Sequence, residues 1–335
     1  MRPPAGSGEN DRVKDHGWTP GDMPDLTGVR AVVTGANSGL GLHTALELAR
    51  SGAAVVLAVR DEARGAQAAE QVRAQVPGAR LEVRRLDLAD LESVRVFAAP
   101  FRRGERLDVL VDNAGIMAVP QGTTADGFET HLGTNHLGHF ALTGLLLPAL
   151  LGGGLRGGPA RVVTVSSSLH RRGRLRRDDL MGERSYSPFG AYGRSKLANL
   201  LFMRELQRRA DAVRAPLMSL AAHPGYAATN LQVTGPRLMG SRVREVVSRG
   251  MNVVLAQSAS RGAWPTLRAA TDPGARGGDY FGPGGLAEQR GHPRLVGMSA
   301  AAASADDACW LWERSVELTG VDYEELTPTA QGAER

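Results

Sequence analysis

Tyr192 and Lys196 stand four residues apart in the segment AYGRSK, where the surrounding pattern predicts a helix. Residues at positions i and i+4 share one face of a helix, so the Lys196 ammonium is expected beside the Tyr192 phenol. A free phenol has a pKa of about 10, and a nearby cation lowers that pKa because it favours the phenolate. Such a pair can exchange a proton with a carbonyl or alcohol oxygen. The alternative interpretation is a surface pair on an amphipathic helix.

Lysine is rare in this chain. Of the 40 lysines and arginines only two are lysines, Lys14 and Lys196, a bias typical of a GC-rich genome. Lysine is a compact donor that can reach a ribose hydroxyl as well as a phenol. Lys196 is the only lysine of the predicted folded domain, and it occurs where this chemistry requires an amine.

Three serines, Ser166 to Ser168, follow a predicted strand. A hydroxyl at the carboxyl end of a parallel strand points into the crevice where cofactors bind. It can donate a hydrogen bond to a substrate oxygen as charge develops there. Serine-rich strand ends also form ordinary turns, so this signal is weak by itself.

A glycine-rich turn, TGANSGLG at 34–41, joins the first predicted strand to a helix. Glycines there let the backbone approach a pyrophosphate, which the N–H groups of the helix N-terminus can bind. The Gly-x3-Gly-x-Gly spacing differs from the Gly-x-Gly-x-x-Gly fingerprint, and the alternative interpretation is a plain tight turn.

The end of the second predicted strand, Ala58-Val59-Arg60, bears on the choice of dinucleotide. An acidic residue at this position binds the ribose 2′-OH of NAD, whereas an arginine accommodates the 2′-phosphate of NADP. Arg60 therefore favours NADP(H), with NAD(H) as the alternative cofactor. The other interpretation of Arg60 is one more arginine in an arginine-rich chain.

Short apolar runs alternate with helical patterns along the chain, which indicates βαβ units. Strands are predicted at 29–34, 54–59, 81–86, 107–111, 161–165, 217–222 and 278–281, and helices at 39–51, 61–76, 91–103, 124–151, 191–209 and 252–270. Strands that are apolar throughout belong to a parallel sheet covered on both faces. The predicted fold is α/β, a doubly wound Rossmann sheet of about seven parallel strands with helices on both faces.

The 335 residues are expected to form a single domain. We predict a disordered leader at 1–25, a Rossmann catalytic domain at 26–285 and a partly helical C-terminal extension at 286–335. No apolar run of about 20 residues is present, so no membrane span is expected. The N-terminus lacks the apolar core of a signal peptide, and a cytoplasmic location is expected.

Composition argues against several other kinds of partner or site. The net charge of +5 is partly due to the arginines of 170–177, which we interpret as a solvated loop and not as a nucleic-acid interface. The single cysteine, Cys309, excludes an intramolecular disulfide and is expected to be a buried small hydrophobe. His131, His136 and His139 have no carboxylate or thiol at ligand spacing, so we expect polar packing and no metal site.

Together these residues resemble the short-chain dehydrogenase/reductase family, in the subgroup with a TGxxxGxG turn and a YxxxK pair. The matching motifs occur in the family's order over roughly residues 26–285: TGANSGLG, DNAG at 112–115, TNHLGHF around Asn135, VSSS, YGRSK and Pro224-Gly225-x3-Thr229. AVRDEARG, AYGRSKLANLLFMREL and the long Ser–Tyr spacing look most like the retinol-dehydrogenase-like branch and its bacterial relatives. Asp112 departs from the asparagine that the family often has, whereas Asn113 matches.

The resemblance implies a role for each motif. Tyr192 would be the general acid/base, and Lys196 would lower its pKa and hold the nicotinamide ribose. Ser167, in preference to Ser166, would orient the substrate carbonyl, and Asn135 would hold a water that links Lys196 to solvent. The implied cofactor-binding residues are Gly35, Asn37, Ser38, Gly39, Leu40, Gly41, Arg60, Asp87, Leu88, Asn113, Ala114, Gly115, Tyr192, Lys196, Pro224, Gly225 and Thr229.

The predicted function is NADP(H)-dependent hydride transfer between nicotinamide and a carbonyl or a primary or secondary alcohol. The alternatives are an NADPH-binding regulatory protein without turnover and a protochlorophyllide-reductase-like C=C reductase, whose cysteine chemistry Cys309 alone would hardly supply. An epimerase or dehydratase is disfavoured by the glycine spacing. The expected substrate is an apolar small molecule, selected by 169–190, 226–250 and the C-terminal tail. The family implies a homodimer or homotetramer, and no nucleic-acid or membrane-spanning partner is expected.

Overall fold

Eight strands form one sheet in the computed structural model, which describes residues 17–225 and 258–327. Their order across the sheet is β3-β2-β1-β4-β5-β6-β7-β8. Strands β1 to β7 pair in parallel, and β8 is antiparallel to β7. The strands are β1 (Arg30–Thr34), β2 (Ala54–Val59), β3 (Leu81–Arg85), β4 (Val109–Asp112), β5 (Ala160–Val165), β6 (Leu217–Ala222), β7 (Tyr280–Pro283) and β8 (Pro293–Leu295).

Helices cover both faces of this sheet. One face carries α1 (Gly39–Arg50), α2 (Glu62–Gln75), the single turn α6 (Ala259–Gly262) and α7 (Trp264–Thr271). The other face carries α3 (Leu91–Arg102), α4 (130–151) and α5 (Pro188–Ala212), and α8 (Ala305–Thr319) packs on the outer side of α5 and α4. Helix α4 starts as an α-helix at Thr130–Leu132, passes through a π-helical turn at Gly133–Leu137 and continues as an α-helix over Gly138–Leu151.

The two layers of core follow from the two-residue period of the strands. In β1, Val32 points into the layer under α3, α4 and α5, whereas Ala31 and Val33 point into the layer under α1 and α2. All three side chains are fully buried. The unbroken apolar run in each central strand is therefore the direct result of covering on both faces.

The strand order reverses between β1 and β4. From β1 the chain proceeds outward to β2 and β3, and it then returns to add β4 on the other side of β1. A crevice opens at such a switch point beyond the carboxyl ends of the strands, because the flanking loops diverge there. This topology places the candidate site.

Residues near the two ends of the described chain complete the core. Trp18 is 6% exposed and belongs to the layer beside α1. Behind α4 and α5, the rings of Phe140, Phe202, Trp312 and Tyr323 form one cluster, with centroids 4.5 Å apart for Trp312 and Tyr323. Tyr323 Oη also donates a hydrogen bond of 2.7 Å to the Phe140 carbonyl. The C-terminal segment is thus a structural part of the domain.

The doubly wound α/β fold predicted from the sequence is confirmed, with differences near the termini. The sheet has eight strands and not about seven, because Pro293–Leu295 pairs with β7 beyond the predicted boundary at 285. Residues 17–25 of the predicted disordered leader contain the buried Trp18 and a 3-10 helix at Pro20–Asp22. Residues 252–257 of the last predicted helix lie outside the described residues.

Two local expectations were also wrong. The long fourth helix begins at Thr130 instead of Thr124, because the Glu129 carboxylate caps it by accepting hydrogen bonds from the N–H groups of His131 and Leu132. Cys309 is only half-buried. None of the helices in the described part of the chain is long and apolar enough to cross a bilayer.

Candidate active site

The turn after β1 depends on glycine at three positions. Gly35 and Gly39 have φ angles of +66° and +56°, a region that glycine adopts without steric cost. A Cβ on Gly41 would stand 2.5 Å from the Gly35 carbonyl oxygen and 2.6 Å from Nδ2 of Asn113. The turn leads directly into α1, whose N-terminal N–H groups and dipole attract anions.

Thr34 holds this turn against the segment that follows β4. Its Oγ1 accepts hydrogen bonds of 2.9 Å from the backbone N–H groups of Asn113 and Ala114. Nδ2 of Asn113 in turn donates a hydrogen bond of 2.7 Å to the Thr34 carbonyl. The sequence did not point to Thr34, because its partners become neighbours only once β1 and β4 pair.

One cleft runs along the carboxyl ends of β1 to β4, and it brings together most of the predicted cofactor residues. Those that line it are Gly35, Asn37, Ser38, Gly39, Leu40, Gly41, Arg60, Asp87, Leu88, Asn113, Ala114 and Gly115. The lining residues Arg64, Ile116, Met117, Val119 and Thr134 were not predicted. The cleft therefore extends from the end of β2, past the glycine turn, toward α4.

Two arginines stand where this cleft meets β2. Arg60 follows the strand directly, and Arg64 lies in the first turn of α2, so both exposed side chains line the cleft. Asp61 is the N-cap of α2 and accepts a hydrogen bond of 3.1 Å from the Arg64 N–H. The signal for Arg64 was available in the sequence: it follows Arg60 by four residues at the start of a helix.

Tyr192 lies in the second turn of α5, which begins at Pro188 because Ser187 caps it through the Gly190 N–H. The phenol is 8% exposed. Burial raises the pKa of Tyr192 to about 12, and a hydrogen bond from Ser167 acts in the opposite direction. Ser167 thus meets Tyr192 at the carboxyl end of β5, whereas Ser166 points away and donates a 2.8 Å bond to the Lys196 carbonyl.

Lys196 is 4% exposed and reaches the same end of β5. Nζ donates a hydrogen bond of 2.9 Å to the Val165 carbonyl and lies 5.8 Å from the centroid of the Tyr192 ring. Burial lowers the pKa of Lys196 to about 8. The expected lowering of the pKa of Tyr192 by this ammonium is not found: the shift arises from burial, which raises the pKa, and from Ser167, which lowers it.

Asn135 occupies the middle of the π-helical turn and is fully buried. Its Oδ1 accepts a hydrogen bond of 2.8 Å from the Ile116 N–H, and its Nδ2 donates to the Ile116 carbonyl and to Oγ of Ser195. These bonds join the segment after β4 to the helix that carries Tyr192 and Lys196. A π turn inside an α-helix is frequent at functional sites.

The three neighbouring histidines pack against different partners, as predicted. Nδ1 of His131 lies 2.9 Å from the Glu129 carboxylate, Nε2 of His136 lies 2.9 Å from Oγ of Ser315, and Nε2 of His139 lies 2.9 Å from Oγ1 of Thr34. Burial lowers the pKa of both His136 and His139 to about 3, so both are neutral. Within 17–225 and 258–327, no group of three His, Cys, Asp or Glu side chains is placed to hold a metal ion.

Pro224 and Gly225 follow β6 at the far end of the site from Arg60. Gly225 has a φ of +65°, and a Cβ there would stand 2.5 Å from the Gln289 carbonyl oxygen. The turn is therefore packed against residues beyond β7. Thr229, the last predicted cofactor residue, lies outside the described residues.

Comparison with known proteins gives a consistent result. A sequence model described as short chain dehydrogenase matches residues 30–236. Mouse polyprenol dehydrogenase is 41% identical over 306 residues, which cover 90% of this chain and 87% of that protein. Human retinol dehydrogenase 12 is 39% identical over 302 residues, which cover 89% of each protein.

Two solved structures extend this comparison. An uncharacterised protein of Mycobacterium paratuberculosis is 45% identical, with a TM-score of 0.75 and coverage of 92% of this chain and 99% of that one. A Beutenbergia cavernae protein described as an NAD(P)-dependent gluconate 5-dehydrogenase, with NADP bound, is 26% identical. Its TM-score is 0.59, and the match covers 76% of this chain and 95% of that one.

Proposed function

The chain belongs to the short-chain dehydrogenase family and is an oxidoreductase similar to retinol dehydrogenases, and from this premise we propose that it uses NADP(H) to interconvert a carbonyl compound and an alcohol. The observation that supports this proposal most directly is the meeting of Tyr192, Lys196 and Ser167 at the carboxyl end of β5. A phenol, an ammonium and a hydroxyl in this arrangement are suited to moving one proton at one oxygen atom.

The side chains and backbone donors of the cleft fit NADP(H). The glycine turn and the α1 N-terminus suit a pyrophosphate, and Arg60 and Arg64 suit the 2′-phosphate of the adenosine ribose. Lys196 would bind the nicotinamide ribose, and Pro224 and Gly225 would border the nicotinamide. When bound, the reduced cofactor supplies a hydride for the carbonyl carbon.

The remaining predicted binding residues divide between the two halves of the cofactor. Asp87 and Leu88 would contact the adenine, and Asn113, Ala114 and Gly115 would line the adenosine side, all from within the cleft. Thr229 remains a proposed contact at the nicotinamide end.

Tyr192 is the proposed proton donor in the direction of carbonyl reduction. A pKa of about 12 keeps the Tyr192 phenol protonated at neutral pH, as a general acid requires. The Ser167 hydroxyl would hydrogen-bond the same carbonyl oxygen and stabilise its developing charge. Lys196, whose pKa is about 8, is mostly an ammonium at pH 7 and would stabilise the phenolate that remains. Asn135 would hold a water that links Lys196 to solvent, and through this water the proton that Tyr192 donates would be replaced.

The substrate class we propose is an apolar alcohol with its aldehyde or ketone. Two relatives are named for such alcohols, polyprenol and retinol. The part of the cleft nearest α4 is lined by the apolar side chains of Ile116, Met117 and Val119. Apolar lining with a few polar groups at the reacting end is typical of small-molecule sites.

The test is NADPH oxidation against a panel of apolar aldehydes and ketones, including retinal, with two matched variants. Tyr192→Phe should reduce kcat by roughly a hundredfold or more, because it removes the proton donor. Tyr186→Phe should change kcat little, because the Tyr186 hydroxyl donates to the Val119 carbonyl and not to the reacting oxygen, and any effect of this variant should fall on KM. Full activity of Tyr192→Phe would refute the assigned role.

Two other outcomes would favour the alternatives. Tight NADPH binding without turnover of any carbonyl would indicate a regulatory protein. Reduction of a conjugated C=C bond in place of the carbonyl would indicate a reductase of the protochlorophyllide type. Both outcomes are read from the same assay by analysing the products.

A further inference from the structure

The turn that contains Pro224 and Gly225 rests on a second turn, the 3-10 helix Leu286–Glu288, which lies outside the part of the chain matched by the family model. A Cβ on Gly225 would stand 2.5 Å from the Gln289 carbonyl oxygen and 2.8 Å from Cγ of Pro283. The two turns are therefore in direct backbone contact. The second turn can influence the nicotinamide end of the cleft although none of its residues lines the cleft.

His223 connects these two turns. Its side chain is fully buried, and its Nδ1 accepts a hydrogen bond of 3.2 Å from the Gly225 N–H. Burial lowers the pKa of His223 to about 4, so the ring is neutral at pH 7. A neutral imidazole that accepts at Nδ1 carries its proton on Nε2. That nitrogen lies 3.2 Å from Oε2 of Glu288.

Neighbouring residues pack closely around the His223 ring and limit the partners that its Nε2 can reach. The Tyr280 ring packs with its centroid 5.3 Å from that of His223, and a Cβ on Gly282 would collide with the imidazole. The charged or titratable groups that face the ring from the described residues are Glu288, His170, Arg171 and Tyr280. Among these described groups, Glu288 is the one with a carboxylate near Nε2.

Glu288 also contacts the loop that follows Ser167. Oε1 of Glu288 lies 3.2 Å from Nη2 of Arg171, and the same nitrogen donates a hydrogen bond of 2.7 Å to the Gly297 carbonyl. Arg171 belongs to the 3-10 helix Ser168–Arg172, whose N-cap is Ser167. One carboxylate therefore reaches both segments that border the proposed nicotinamide end.

The backbone at Glu288 is held in an unfavourable conformation. Ala287 and Glu288 have φ angles of +50° and +56°, in the left-handed region that favours glycine. Strained residues of this kind persist where the surrounding structure determines them and cluster at functional sites. Here the strained turn is what presents the Glu288 carboxylate to His223 and Arg171.

We propose that Glu288 is a positioning residue: through His223 it fixes the Pro224-Gly225 turn at the nicotinamide end of the cleft, and through Arg171 it joins that turn to the loop after Ser167. This inference rests on the proposed function, because it assumes that the cleft binds NADP(H). The contact that transmits the effect is the 3.2 Å approach of the Glu288 carboxylate to Nε2 of His223, a buried nitrogen that has no well-aligned hydrogen bond to any described residue. The ion pair with the exposed Arg171 is worth little in solvent.

The experiment compares two nucleotides by calorimetry. NADPH contains nicotinamide, and 2′-phospho-ADP-ribose lacks it but keeps the adenosine phosphate and the pyrophosphate. Glu288→Ala should weaken NADPH binding roughly tenfold and lower kcat roughly ten- to a hundredfold, because the reacting groups are misplaced. Binding of 2′-phospho-ADP-ribose should stay within about twofold of the wild type. Glu288→Gln keeps an acceptor for His223 and should restore kcat to within about threefold.

Controls come from the same segments. Leu286→Ala changes a side chain that is 92% exposed in the same turn, and it should bind both nucleotides as the wild type does. If Glu288→Ala does not fold, His223→Asn carries the test, because the Asn oxygen can replace Nδ1 as acceptor but cannot reach Glu288. It should show the same selective loss for NADPH.

The outcomes separate this inference from the proposed function. Equal weakening of both nucleotides, or no change in either, would overturn the positioning role. A wild-type protein that binds NADPH but reduces no carbonyl would overturn the function, while the comparison of the two nucleotides would still decide the role of Glu288. A wild type that binds neither nucleotide would overturn both.

Discussion

Thr143 donates a hydrogen bond of 3.2 Å to Oδ2 of Asp112, the last residue of β4, and both side chains are fully buried. Oδ1 of Asp112 has no hydrogen-bond partner among the described residues. Burial raises the pKa of Asp112 to about 8, so this carboxyl group is protonated at neutral pH. It thus resembles the neutral asparagine that the family often has at this position.

Asp112→Asn should stabilise the protein increasingly as the pH rises. The folded-state pKa of Asp112 lies above the unfolded value near 3.8, so the wild type loses stability between about pH 4 and pH 8, whereas the asparagine variant does not. The gain should be larger at pH 8 than at pH 5 by about 3–4 kcal/mol, because linkage contributes about 1.4 kcal/mol for each pH unit between the two pKa values. Thermal unfolding at both pH values measures it, with the exposed Asp178→Asn as control. An equal gain at both pH values would contradict the protonated state.

Arg60 and Arg64 should determine the choice between NADPH and NADH. Arg60→Asp removes a cation from the expected 2′-phosphate site and adds a carboxylate that can accept from a ribose hydroxyl. NADPH binding should weaken roughly ten- to a hundredfold, and Arg64→Ala should have a smaller effect in the same direction. Fluorescence titration with each nucleotide measures the ratio, and the exposed Arg103→Ala serves as control. An unchanged ratio in Arg60→Asp would remove the argument for NADP(H).

Gly41→Ala should disrupt the phosphate turn. The added Cβ would approach the Gly35 backbone at 2.5 Å, and neither that backbone nor Asn113 can move without breaking the bonds to Thr34. We expect NADPH binding to fall more than tenfold, with a loss of stability of about 1–3 kcal/mol. Gly297→Ala, where a Cβ meets nothing within 4 Å, is the matched control. Normal NADPH affinity in Gly41→Ala would mean that the turn is not the pyrophosphate site.

The pH dependence of carbonyl reduction should follow Lys196. Its pKa of about 8 means that the charge is present below pH 8 and lost above it, while the Tyr192 phenol stays protonated up to about pH 12. The value of kcat/KM should therefore be level at neutral pH and decline above about pH 8. Lys196→Met should be slower throughout and lack this decline. Circular dichroism should show that Lys196→Met is folded at each pH used. If the decline in kcat/KM persists in this variant, the titrating group is not Lys196.

Local patterns made much of this fold predictable. Strands β1, β2 and β6 differ from prediction by at most one residue, because a central parallel strand is an unbroken apolar run between turns. Strand β8 was missed, since three residues with a proline carry no period and pair only through the position of β7. The start of α4 was also missed, because a capping Glu129 carboxylate interrupts a pattern that continues through it.

The residues of the candidate site were likewise predictable from the sequence only where local spacing brings them together. Tyr192 and Lys196 are visible as a pair because helical spacing alone brings them to one face. The roles of Thr34 and Glu288 could not be predicted from the sequence. Thr34 bonds Asn113, which is 79 residues away, and Glu288 contacts His223 at the end of a different strand. Residues whose roles depend on distant partners require the assembled sheet to be recognised.

The hydrogen bond from Tyr323 to Phe140 joins residues 183 positions apart. During synthesis on a ribosome, every described residue of the cleft emerges long before the aromatic ring that covers the back of α4. Contacts between residues so far apart in the sequence slow folding, because the entropy of closing the long loop is lost before the contact can stabilise the chain. The nascent chain therefore holds every described cleft residue while the outer side of α4 and α5 is still uncovered, and chaperones would have most to protect at that stage.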